Sequence, residues 1–131
     1  MSLYLGLFDG DTEVAGWCFG HYSDFGCFRD VVASVADQAR YPVLMGSSDC
    51  DSHWSPQQQR DLIDELAELA EIFRSHPPRP LKEAFEHTED LRSNAKTLYD
   101  CFHNVDGENV FEALTALCRQ GSGKGLLLIM Q

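Results

Sequence analysis

Basic residues are scarce in this 131-residue chain: ten Lys and Arg stand against 21 Asp and Glu, a net charge of −11. Nucleic acid as a partner is excluded on that ground, because binding phosphates needs a basic patch. No apolar run approaches the length of a membrane span, so no membrane-crossing helix is expected. A basic leader segment is also lacking, since Met1 runs straight into an alternating apolar stretch. That pattern leads us to expect a cytoplasmic protein. The five cysteines are odd in number, irregularly spaced and without a C-x-x-C pair. A zinc ribbon, a thioredoxin-type site and a paired disulfide framework are therefore not expected. There are no internal repeats and no low-complexity tract.

Several signatures of chemistry are missing as well. The histidines His21, His53, His76, His87 and His103 form no H-x-x-x-H or H-E-x-x-H pattern. There is no G-x-S-x-G nucleophile turn. The Gly121-Ser122-Gly123-Lys124-Gly125 stretch lacks the full phosphate-loop pattern and lies between a helix and a strand, in the wrong order. Asp49-Cys50-Asp51-Ser52-His53 resembles the start of a calcium loop. It fails at its sixth place, where Trp54 stands instead of Gly, and at its twelfth, where Arg60 stands instead of Glu. No cofactor and no catalytic residue is assigned.

What remains is ordinary globular composition, 44% hydrophobic and 24% charged. The length predicts one domain over residues 1–131. Ser2–Phe8 and Thr12–Phe19 read as two strands joined by an Asp9-Gly10-Asp11 hairpin turn. Ser23 or Asp24 is expected to cap a helix through Asp37, with Phe25, Phe28, Val31, Val32 and Val35 as its apolar stripe. Pro42–Gly46 reads as a buried strand and Ser47–Trp54 as a polar loop. Ser55-Pro56-Gln57-Gln58 is a helix start with an N-cap, a first-turn proline and a capping box. That helix runs to about Phe73. His76–Pro80 is a semi-rigid connector, and Leu81–Glu89 is a short helix. Leu98–Val105 fits either helix or strand, with Leu98–Phe102 a candidate short strand. A last helix opens at Asp106 or Gly107 and stops at Gly121, and Gly125–Gln131 is a terminal strand, central or next to central in the sheet. The expected fold class is α+β, a mostly antiparallel or mixed sheet of about four strands with helices on one face, in the order β-β-α-β-α-(α/β)-α-β.

The charge is uneven. Residues 1–73 hold 13 acids and three bases, whereas residues 74–131 hold eight and seven. So large a negative field favours encounter with a basic partner. Trp54 follows an acidic loop and precedes a capped helix. It is either an interface anchor or a staple folded back on the core. The candidate partner-binding residues are Asp9, Asp11, Asp49, Asp51, His53 and Trp54. Two other readings use overlapping residues. In one, Asp9, Asp11, Asp49, Asp51 and His53 form a metal-dependent hydrolase site with His53 as base. In the other, an exposed apolar strand drives self-association.

Three segments carry a family resemblance. They are Leu3-Tyr4-Leu5-x-Leu7-Phe8-Asp9, Ser48-Asp49-Cys50-Asp51-x-x-Trp54-Ser55-Pro56 and Leu98-Tyr99-Asp100-Cys101-Phe102-x-x-Val105-Asp106-Gly107-Glu108. Together they resemble the immunity protein 70 family of bacterial polymorphic toxin systems, over nearly the whole chain. The family pattern has a Gly-Glu pair before the tryptophan. This chain has Ser52-His53, so no role of that Glu carries over. The resemblance implies an α+β fold and a non-enzymatic antidote that binds one cognate toxin. The charge adds the expectation that the toxin is basic, of nuclease type.

Overall fold

The computed structural model describes residues 2–46, 53–81, 94–104 and 106–131. Strands β1 (Ser2–Asp9), β2 (Thr12–His21), β3 (His53–Trp54) and β4 (Leu127–Met130) form one antiparallel sheet in the order β2-β1-β4-β3. The terminal strand is thus interior, as its unbroken apolar sequence predicts. Helices α1 (Tyr22–Val35), α2 (Pro42–Gly46), α3 (Pro56–Arg74) and α4 (Val110–Gly123) complete the described elements, with 3-10 turns at Gln38–Arg40 and Leu98–Cys101. The α+β class and the antiparallel sheet are as expected.

Sheet register sorts side chains into two faces. Leu7 lies opposite Ala15 on one side and Leu128 on the other, and Leu128 lies opposite Trp54. The row formed by Leu5, Trp17 and Met130 points the same way, because antiparallel partners share a face. Leu3, Leu5, Leu7, Trp17, Phe19, Trp54, Leu128 and Met130 are all buried in one core with the helices. The intervening row runs Gly16, Gly6, Ile129, His53 and faces the other way.

The helices present their predicted stripes to that core. From α3 come Leu62, Leu66, Leu69, Ala70 and Phe73, each near-fully buried. Each large apolar side chain of this kind contributes about 1.5–3 kcal/mol over exposure. Phe28 of α1 is the hub of an aromatic cluster, with ring centroids 5.2 Å from Phe102 and 5.3 Å from Phe111, both edge-to-face. The α3 start is as the sequence reads: Ser55 Oγ accepts from Gln58 N at 3.2 Å, and Gln58 Oε1 accepts from Ser55 N at 2.9 Å.

Five local expectations change. Pro42–Gly46 is helix α2, not a strand. The carboxylate of Glu65 on α3 accepts from the backbone N–H of Val43 and Leu44, at 3.1 and 3.0 Å. It thereby satisfies donors that a five-residue helix leaves open. Leu98–Cys101 is a 3-10 turn rather than a strand, held by Asp100, whose Oδ2 accepts from Lys96 N and Thr97 N. Helix α1 begins at Tyr22, with Asp24 reaching back to His21 N from the first turn. Helix α4 starts after Asn109, which caps Glu112 N, and runs past Gly121 to Gly123. Gly121 has a packing role: a Cβ there would collide with the Gln59 amide and with Leu7. Trp54 belongs to β3 instead of the loop, and the expected helix at 81–89 lies, beyond Leu81, outside the described residues.

Candidate functional site

Asp9 ends β1 and pairs with Thr12, so Gly10 and Asp11 form a two-residue turn. Gly10 takes φ +62°, a left-handed conformation that costs glycine little. Both aspartates are exposed, and so are Thr12, Glu13 and Val14 beyond them. No ion pair engages Asp9, Asp11 or Glu13 among the described residues. The turn therefore projects Asp9 and Asp11 into solvent, while the Glu13 carboxylate on β2 lies over Gly6 and accepts from the Tyr4 hydroxyl.

His53 is exposed at the far edge of the sheet, on the face away from the helices, across from Ile129. Trp54, its neighbour, points the opposite way and is 1% exposed. Its backbone carbonyl accepts from Gln59 Nε2 at 3.0 Å, and the same nitrogen donates to Leu126 O at 2.8 Å. Gln59 thus ties the approach to β4 to the start of α3. Of the two readings of Trp54, the structure places its ring in the core, so it offers no surface to a partner. Asp49 and Asp51 lie outside the described residues.

The described candidates do not converge on one point. From strand spacing and rise, Asp9 and His53 are on the order of 14 Å apart. The chain also enters β3 from the Ile129–Met130 end of the sheet, whereas the hairpin turn lies past the Phe8–Leu127 end. Among the described residues, no three His, Cys, Asp or Glu side chains are grouped to hold a metal ion. The family model for immunity protein 70 matches residues 10–128. The chain belongs to the immunity protein 70 family. No curated protein and no solved structure matches it.

The matched span of this immunity protein family member takes in features the sequence did not single out. The first is a clasp on β2. Asn104 is fully buried; its Nδ2 donates to Cys18 O at 3.0 Å and to Glu108 Oε1 at 3.1 Å. Its Oδ1 accepts from Asp106 N and Glu108 N. Glu108 Oε1 also accepts from the Trp17 indole N–H at 3.2 Å. Asp106-Gly107, expected to open the last helix, is instead a turn ahead of it, with Gly107 at φ +81°. The partners of Asn104 and Glu108 on β2, 86 and 91 residues away, are not legible in the sequence.

The second feature is a groove of about 330 Å³ between α3 and α4, lined in part by Ala67, Ala70, Arg74, Tyr99, Thr115 and Arg119. The Arg74 guanidinium lies 4.1 Å from the centre of the Tyr99 ring and pairs with Glu71 at 2.7 Å. Burial, then the nearby Glu112, push the Tyr99 phenol above its ordinary range, which keeps it protonated. Among the described residues, Cys18, Cys27, Cys101 and Cys118 form no disulfide. Burial pushes Cys118 up to about 12, so it is a thiol and not a nucleophile. No helix is long and apolar enough to cross a membrane among the described residues.

Proposed function

We propose that the chain is a non-catalytic, cytoplasmic antidote that binds and neutralises one cognate toxin through its acidic surface. The observation that carries this reading is the family match over residues 10–128. The charge supports a basic toxin, of the nuclease type. Thirteen of the 21 acids fall in residues 1–73, with only three bases. Such a field speeds encounter with a positively charged cleft and suppresses wrong partners. An anionic protein seated in a phosphate-binding cleft would block it without chemistry.

The candidate contacts are Asp9, Asp11, Asp49, Asp51 and His53, with Trp54, next to His53, packed in the core. The test is rescue from toxicity. The toxin encoded beside this chain is expressed alone, with the wild type, and with an Asp49→Lys/Asp51→Lys or an Asp9→Lys/Asp11→Lys variant. Rescue by the wild type, with affinity falling as salt rises, is expected. A toxin that kills equally with and without the wild-type chain overturns the reading. Loss of rescue in one folded double variant assigns the contact to that segment.

A further inference from the structure

β2 has its two backbone edges in different states. Tyr4 N and Tyr4 O both bond Gln131, so Tyr4 turns its polar backbone groups toward β4. Its opposite neighbour Cys18 must then turn its own groups away from β1, and Asn104 meets the Cys18 carbonyl there. Two residues toward the hairpin, Gly16 repeats this outward direction. Among the described residues, the backbone hydrogen bonds outside regular elements include none to residues 12–16. A register shift between Leu7 and Phe8 makes Val14 an extra residue on this edge. Val14 is 47% exposed, the one large hydrophobic exposed among the described residues.

We infer that the open β2 edge, Thr12–Gly16, pairs with a short extended basic segment of the toxin. Backbone groups of that segment would meet those turned out at Gly16 and around the bulge, and its apolar side chain would cover Val14. This deepens the antidote reading and rests on it. Charge selects the occupant. Asp9, Asp11 and Glu13 flank the edge, Asp106 and Glu108 lie in the turn that clasps its other half, and no Lys or Arg occurs in β1, the hairpin turn or β2. A second copy of the chain would set acids against acids, which disfavours edge-to-edge pairing. A Lys- or Arg-bearing strand meets the complementary field. The bulge keeps the pairing short, to a few residues, and so keeps the edge from becoming a general aggregation site.

Amide hydrogen exchange on the free chain and on its complex with the toxin encoded beside it tests this. The amides of residues 13–16 should slow by about tenfold or more in the complex, and a Glu13→Lys/Val14→Lys variant should bind about tenfold or more weakly. Thermal unfolding of that variant, compared with wild type, verifies that it folds. Position 16 is left alone, since a Cβ there would strike the Tyr4 ring. Tight toxin binding with unchanged exchange at 13–16, or with undiminished affinity in the folded variant, overturns the edge and leaves the antidote reading standing. Slowed exchange in the toxin-free chain that grows with its concentration assigns the edge to a second copy and overturns the toxin segment. No binding by the wild type overturns both.

Discussion

β2 is one strand with two different halves. From Trp17 to Phe19 it is buried on its inner face and clasped at its edge by Asn104 and Glu108. From Thr12 to Gly16 it is exposed apart from the half-buried Ala15, and no described backbone group bonds its edge. Both halves pair with β1, each with one register shift. Strand pairing therefore does not explain the difference; what lies on the edge and beneath the strand does. One half spends its backbone groups on the fold, and the other keeps them for solvent or a partner.

The comparison breaks most severely at the clasped half. Phe28→Ala removes the ring that links Phe19, Phe73, Phe102 and Phe111. The expected loss is about 3–5 kcal/mol, read from urea denaturation. Asn104→Leu is next. It strands the Cys18 carbonyl and the amides of Asp106 and Glu108, at about 1–3 kcal/mol, with faster amide exchange in 106–109. Val14→Thr sits on the open half and should change stability by no more than about 0.5 kcal/mol in the same assay. A Val14→Thr loss as large as that of Asn104→Leu would show that the open half is structural after all.

A smaller effect follows from Glu65, which lies far from either half. Burial raises its carboxyl above the ordinary 4.5, against the lowering by the Leu44 and Val43 amides. The folded state therefore holds its proton more tightly than the unfolded state. Its contribution is full below pH 4.5 and declines as pH rises through the folded value. The stability of wild type minus that of Glu65→Gln should fall over that range. A difference that is flat or rising with pH would contradict the burial argument. His103 works in the opposite sense. Burial lowers it from 6.5, so the stability it contributes is present above that value and lost as pH falls toward the folded one.

Which parts of the fold were legible depends on how far away the deciding partner lies. The α3 cap was readable because Ser55 and Gln58 decide it within three residues. The hairpin was readable because Asp9-Gly10-Asp11 carries its own turn chemistry. Pro42–Gly46 is not legible locally because a short apolar run fits strand or helix, and Glu65, about 21 residues on, settles it. Gly121 was read as a stop signal because its neighbour Gln59 lies on another helix. At the candidate site, composition announced the acids and the hairpin placed Asp9 and Asp11. It did not announce that Trp54 faces inward, since a two-residue strand gives no alternation to read. Nor does local patterning reveal which edge of a sheet is left unpaired.

The chain contains two tryptophans, and the sheet order puts one on each outermost strand: Trp17 on β2 and Trp54 on β3. Both rings are buried on the same face, and Trp17 donates its indole N–H to the carboxylate of Glu108. Fluorescence from single-tryptophan forms would therefore watch the two rims of the sheet separately. A ligand that tugs on the Glu108 turn would alter the emission of Trp17 and leave that of Trp54 where it was.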